Sequence, residues 1–468
     1  MRWAWAFALL VAQGAPEEEY KTKLAAISKT CAAKHYSVGE YLSGAQMHLW
    51  AREQYNKVVE FDPDHEGARR KLGYKKGDSG WENDPTAKID VNKKKDAEAD
   101  KVRKAYAEKL DAAGKDIARL WLELAQSCKK NSLAKETLDA FRKAVEYEPW
   151  NAVARKELGY EKDAKGVWVS KSERELRKDM KDGIGKAPSG AADPGPTEVE
   201  RTLGQQHAKR ASEHFLLESP HLKDAELGGL VQHAEHAYAM YHRIVGESAD
   251  LFGGSKMNQI LLKDKPQHLK YVDLYYKETS PAQKELAKKS QGHMGFPQVE
   301  IYQDKAPMPT LEDWVVHATA QALSHIHVGG KHLWIHEGTA YYFTKLMKDT
   351  AHSSCVDLAG TSPGSGEAKN LQDPNNWTVI LKVWVREGKD SNIDKVVKCT
   401  SLADFAGPDS VKAWSLVEFL LAEHHDKFLE LCQALKKGAN IEEALKAVWG
   451  WSTNDLDQRW KQYVRNSY

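Results

Sequence analysis

The residues best suited to chemistry lie in one run, Trp314 to Phe343, which reads WVVHATAQALSHIHVGGKHLWIHEGTAYYF. On a helix, positions four apart share a face with Cβ atoms about 5 to 6 Å apart. Two histidines at that spacing can grip one metal ion, and a glutamate beside the first can act as general base on bound water. His317 occupies the first ligand position of such an arrangement, and Glu337, on a second helical stretch, supplies a further ligand type. Ala318 stands where the base would be, and Gln321 where the second histidine would be. Alanine can neither take nor give a proton, and losing such a base costs about 10² to 10⁴ in rate. Glutamine is a poor zinc ligand, which leaves two protein ligands where a catalytic zinc usually has three. His317, Gln321 and Glu337 therefore read as a remnant site with no catalytic residue and no expected metal, His317 and Glu337 forming a buried structural pair.

Other histidines crowd the same run. His325 lies eight residues beyond His317, a rise of about 12 Å, too far for the two to share one ion through bonds of about 2 Å. His325, His327, His332 and His336 gather at the turn between the two helical stretches. A displaced zinc site built from them is the alternative to ordinary loop and surface histidines. His233 and His236 are three apart on another helical stretch and read as part of a helix face.

With these residues in view, the run resembles zinc peptidases of the gluzincin type, or peptidase-MA-like family. That family carries His-Glu-x-x-His on one helix and a Glu ligand within Trp-x-x-Glu-Gly-x-Ala-x-Tyr on the next. Trp334, Glu337, Gly338, Ala340 and Tyr342 fit the second pattern, and His317 fits the first ligand. The similarity extends over about residues 210 to 465. It takes in a strand and long helix from His214 to Val245, a strand running into a helix from Gln259 to Tyr276, and the stretch Lys412 to Leu421. It closes with Lys427-Phe428, Leu435 to Gly438, Glu443 to Leu445, and Asp455-Leu456 up to Trp460 and Tyr463. The resemblance implies a zincin-like α+β domain with a helical C-terminal subdomain. The two replaced positions imply a pseudo-metallopeptidase.

The elements around this run divide the chain. His214 to Glu218, Met257 to Leu262 and Val299 to Gln303 read as strands, Asp224 to Val245 and Leu311 to about His327 as helices, and 353–376 as a loop. Upstream, Asp182 to Thr197 is dense in Gly, Pro and Ala and reads as a linker. Before it stands an internal repeat. Val59-Glu60-Phe61-Asp62-Pro63, Ala68-Arg69, Leu72-Gly73-Tyr74 and Trp81 return 86 residues later as Val145 to Pro149, Ala154-Arg155 and Leu158-Gly159-Tyr160, with Trp168 one further on. Each copy comes after an amphipathic run, Trp50 to Phe61 or Leu138 to Tyr147. Proline ends that helix by disfavouring helix at the residue before it, and the Ala-Arg and Leu-Gly-Tyr segments are expected on a second helix. This region resembles degenerate tetratricopeptide (TPR) repeats. Two copies are too few for a solenoid, so each is expected to lean on other helices or on the next domain.

The chain of 468 residues opens with Met1-Arg2, ten apolar residues from Trp3 to Ala12, and Ala12-Gln13-Gly14, the pattern of a secretory signal peptide. Residues 1–15 are therefore expected to be a leader, and the protein exported to a periplasm or secreted. Residues 16–181 are expected as the TPR-like domain, 182–197 as linker and 198–468 as the peptidase-MA-like domain. Export makes the five cysteines worth counting. Cys355 and Cys399 are the favoured bridge, Cys31 and Cys128 read as buried thiols, and Cys432 is the fifth. Asn376-Trp377-Thr378 is a glycosylation sequon. Lys and Arg number 68 against 67 Asp and Glu. Losing Arg2 with the leader leaves 67 against 67, which argues against nucleic acid as a partner. No membrane span is expected after cleavage. The expected partner is a protein or peptide, bound by an exported, catalytically inactive metallopeptidase-like protein; the alternative is an active zinc peptidase with a rearranged ligand set.

Overall fold

The computed structural model describes residues 2–87, 96–163, 166–193, 195–246, 251–275, 280–289, 292–295, 298–302, 307–330, 332–350 and 376–468. It is mostly helical with small sheets and divides into two units, Met1–Lys171 and Ser172–Tyr468. Among the described residues no helix is long and apolar enough to cross a membrane.

The first unit is the repeat made physical. Its elements run α1 (Arg2–Gly44), α2 (His48–Phe61), α3 (Glu66–Lys71), β1 (Tyr74–Gly77), β2 (Gly80–Asn83), α4 (Asp96–Lys130), α5 (Ala134–Tyr147), α6 (Ala152–Glu157), β3 (Tyr160–Lys162) and β4 (Trp168–Ser170). The expected leader and the first helix form one continuous helix with Pro16 inside it. The helical hairpins are α1–α2 and α4–α5, and each precedes the Asp-Pro or Glu-Pro stop.

Beyond the proline the chain departs from expectation. Ala68-Arg69 and Ala154-Arg155 do lie on helices, but these are only six residues long, capped by His65 Nδ1 on the Ala68 amide (3.2 Å) and Asn151 Oδ1 on the Ala154 amide (3.0 Å). Gly73 and Gly159, at φ +91° and +83°, then end them in the left-handed region that glycine adopts without cost. The chain turns into antiparallel hairpins, β1 with β2 and β3 with β4. Leu-Gly-Tyr is thus a helix exit and not a second helix. In both copies the arginine ties the turn. Arg69 Nε donates to the Pro63 carbonyl at 2.7 Å and Arg155 Nε to that of Pro149, and each guanidinium lies over the hairpin tyrosine, Tyr74 at 5.1 Å or Tyr160 at 4.8 Å.

The two copies close on each other. Contacts of α1 with α4 and the residue just after it pair Glu19 with Asn131, Lys23 with Ser127 and Lys34 with Asp116, and the numbers in every pair add to 150. The helices are therefore antiparallel. With an offset of 86, the residue that meets its own repeat equivalent is Ala32 against Ala118, and both are buried. Phe61 and Tyr147, also repeat equivalents, face each other with ring centroids 6.5 Å apart. The unit is a pseudo-two-fold pair, each copy covering the other. The same register places Cys31 and Cys128 about nine residues apart along their helices, or roughly 13 Å, so they do not bridge; both are buried free thiols, as is Cys432. Cys355 lies outside the described residues, and Cys399 carries a free thiol directed at the Ser401 carbonyl.

The second unit begins with α7 (Lys171–Asp182), β5 (Ala191–Ala192), α8 (Glu198–Leu203), β6 (Ala208–Ala211), β7 (Phe215–Ser219), α9 (Asp224–Val245), β8 (Met257–Leu262), α10 (Lys265–Tyr275), α11 (Pro281–Lys289), β9 (Gly292–Gly295) and β10 (Gln298–Tyr302). It continues with α12 (Met308–Val328), α13 (Leu333–Lys348), α14 (Trp377–Glu387), α15 (Ile393–Lys398), α16 (Gly407–Lys436), α17 (Ile441–Trp449) and α18 (Thr453–Ser467). The six strands form one mixed sheet in the order β5-β6-β7-β8-β10-β9, with β7-β8 and β8-β10 parallel. The Gly/Pro-rich segment expected as linker thus contributes an edge strand, Ala191 and Ala192 pairing with Ala211 and Arg210. Helix α12 lies over the sheet, where Gln259 Nε2 of β8 donates to Thr319 Oγ1 at 2.9 Å.

Candidate functional site

The site is built where α12 and α13 meet, held from behind by α16. Gly338 explains how closely they approach. A Cβ there would stand 2.5 Å from the Ala413 carbonyl oxygen and 2.7 Å from Val417 Cγ2, so only glycine lets α13 lie against α16. Trp334, Ala340 and Tyr342 are fully buried around it, so this part of the motif has a packing reason.

His317, Ala318 and Gln321 on α12 and Glu337 on α13 are all buried. The Gln321 amide Nε2 donates to Glu337 Oε1. His317 Nε2 lies 3.8 Å from Glu337 Oε2, beyond hydrogen-bonding distance, and its ring meets Tyr341 edge-on at 5.0 Å between centroids. The three expected remnant residues are thus brought together, but the direct bond joins Gln321 to Glu337. Burial pushes His317 down to about 3, so the ring is neutral at ordinary pH, one nitrogen a donor and the other an acceptor.

Most of the other histidines have individual partners. His336 Nε2 donates to the Gly329 carbonyl at 2.8 Å, which leaves Nδ1 to accept from the Ser324 hydroxyl at 2.9 Å. Both ring nitrogens are then engaged within the protein. His325 stacks on His336 with centroids 3.7 Å apart, and His327 Nδ1 faces the Tyr241 hydroxyl at 3.3 Å. Burial holds His325 down to about 4 and lowers half-buried His332. His336 is pushed down to about 2 by burial and by its histidine neighbours. On α9, His233 Nδ1 donates to the Gly229 carbonyl (2.8 Å), and His236 Nε2 donates to the carbonyls of Asp179 and Met180. These two are ties of the helix face. Among the described residues no three His, Cys, Asp or Glu side chains are grouped so as to hold a metal ion. This cluster does not fit zinc: Glu337 already accepts the Gln321 amide, and neither Ala318 nor Gln321 offers an imidazole or carboxylate.

One polar cluster escaped the sequence reading. Glu218, fully buried on β7, accepts from the Thr197 hydroxyl (2.6 Å), His207 Nδ1 (2.9 Å) and Asn258 Nδ2 (2.7 Å). Its only sequence signal is a carboxylate closing an apolar strand, Phe215 to Glu218. No protein-family model matches this chain, and neither does any curated protein.

Proposed function

We propose that this is a zincin-like protein without peptidase activity that binds a protein or an extended peptide. The observation that carries the reading is the amide of Gln321 on the carboxylate of Glu337. In the peptidases it resembles, that carboxylate would be a zinc ligand; here a neutral amide satisfies it, beside a neutral His317 and an apolar Ala318. The position beside His317 where those peptidases carry their general base holds Ala318, which can take no proton. Three of the four turn histidines that would supply the alternative's ligands already have partners: His325 stacks on His336, His336 bonds Ser324 and Gly329, and His327 faces the Tyr241 hydroxyl.

Binding is better supported at the sheet than in the helical repeats. The antiparallel closure of α1 on α4 differs from the stacking in register that gives a solenoid its concave face. Strand β9 ends the sheet, and no described strand pairs with its outer side. Such an edge accepts an extended segment through main-chain hydrogen bonds. The test is fluorescence anisotropy with a degenerate labelled peptide library, then mass analysis of the peptides. Saturable binding with every peptide intact is expected. Cleaved products, or no binding up to millimolar protein, would overturn the reading.

A further inference from the structure

Helix α14 is apolar nearly all round. Seven of its first nine residues are Trp, Val, Ile or Leu, a composition that belongs to a helix covered on every side. Its covering is one-sided. The row Trp377, Leu381 and Val385, spaced four apart, is buried against α16 and α18. The row Val379 and Val383 points the opposite way at about 100° per residue, and Val379, at 62%, is the most exposed large apolar side chain among the described residues. Ile380 and Trp384 form a third row between the two and are half-buried. Packing within the second unit explains the first row and leaves the other two partly bare.

The charges beside these rows select the occupant. Lys382 and Arg386, one turn apart and both exposed, flank the valines on the side away from Ile380 and Trp384. Lys382 has no hydrogen bond or ion pair among the described residues. Arg386 reaches only its neighbour Glu387, at 3.7 Å, and that carboxylate is already held by Lys389 at 3.0 Å. The face is an apolar stripe with a cationic margin. Pairing α14 with a second copy of itself would crowd the Lys382 and Arg386 of both chains into one interface, so like charge opposes it. A membrane surface takes up apolar side chains to a depth of about 5 to 10 Å, whereas Ile380 and Trp384 are held half-buried by the protein. Rows at helical spacing fit another helix, ridge into groove.

We propose that the outward face of α14 docks an acidic amphipathic helix of a partner protein. Apolar residues of that helix, at i, i+3, i+4 and i+7, seat along Val379, Val383 and Trp384, and carboxylates on its margin pair with Lys382 and Arg386. The surface shares no residue with the β9 edge. The test uses the full chain and a labelled, end-capped helical peptide with leucine at i, i+3, i+4 and i+7 and glutamate beside them, read by anisotropy at low salt. Saturable binding is expected that weakens as salt is added. It should fall about tenfold in Lys382→Glu with Arg386→Glu and be lost in Val379→Asp, both variants keeping the wild-type circular dichroism because the altered side chains are exposed. The same peptide with lysine for glutamate should not bind. No saturation with the glutamate peptide up to millimolar protein, equal binding of the lysine peptide, or undiminished binding by both variants would overturn the proposal. So would binding to phosphatidylserine vesicles, or a dimer in sedimentation, that Val379→Asp abolishes.

Discussion

The histidines between α12 and α13 make the second unit acid-labile, and the size of the effect is set by their burial. His317, His325 and His336 are held to about 3, 4 and 2, whereas an unfolded histidine titrates near 6.5. A depressed folded value means that stability is intact above pH 6.5 and is lost as the pH falls towards the folded values, because the unfolded chain takes up protons that the folded one refuses. At pH 5 each of the three contributes about 2 kcal/mol of loss, from about 1.4 kcal/mol per unit over the 1.5 units below 6.5. Together they remove about 6 kcal/mol, comparable with the 5 to 15 kcal/mol that holds a typical domain. The carboxylates act in a separate window. Burial would raise Glu200, but the His207 and Thr197 amides and the Lys209 ammonium hold it down to about 2, so its contribution is present above about 4.5 and fades only below that. Urea midpoints measured by tryptophan fluorescence at pH 7.5, 6.5, 5.5 and 5.0 should fall steeply over the last two steps. His325→Phe, which retains a ring on His336, should make the slope shallower by the one proton it removes from those taken up on unfolding. Midpoints flat down to pH 5 would refute the reasoning, since they would mean that these rings are protonated in the fold or already paired with acids.

Three further outcomes rest on single contacts. Gly338→Ala drives a methyl into the Ala413 carbonyl and should cost about 1 to 3 kcal/mol, read from the urea midpoint of the second unit. Lys412→Met should cost about 1 to 3 kcal/mol by the same measurement, because the buried Lys412 ammonium joins Asp390 at 2.8 Å and Asp457 at 2.7 Å, and Lys461, at 3.4 and 2.8 Å from the same two carboxylates, replaces only part of that pairing. Cys31, Cys128 and Cys432 should react with a thiol reagent only after denaturation, without prior reductant; a mapped Cys31–Cys128 disulfide would contradict the antiparallel register.

The parts of the fold that were legible in the sequence are those with a strong local period. Helix α9 begins and ends where its apolar spacing and Gly246 place it, and β8 is the apolar run Met257 to Leu262. The helix stops at Asp62-Pro63 and Glu148-Pro149 were legible because proline acts on its immediate neighbour. Leu-Gly-Tyr misled because its apolar residues suit a helix equally well, and the positive φ of Gly73 and Gly159 that decides otherwise is invisible in a spacing. Ala191-Ala192 has no strand signal of its own; its pairing is imposed by the open edge of β6. The pseudo-two-fold closure needed the register of α1 on α4, which no repeat spacing contains. At the site, the sequence brought His317, Gln321 and Glu337 to one cluster, but the bond between Gln321 and Glu337 depends on the approach of α13 that Gly338 permits.

The central claim, that the gluzincin-like cluster is a metal-free structural remnant, is tested most directly by zinc content. Purified protein equilibrated with zinc and desalted should hold no stoichiometric metal, whereas Ala318→Glu with Gln321→His, which rebuilds the missing base and ligand, should hold about one ion per chain. One zinc per chain in wild type, lost in His317→Ala, would contradict the account.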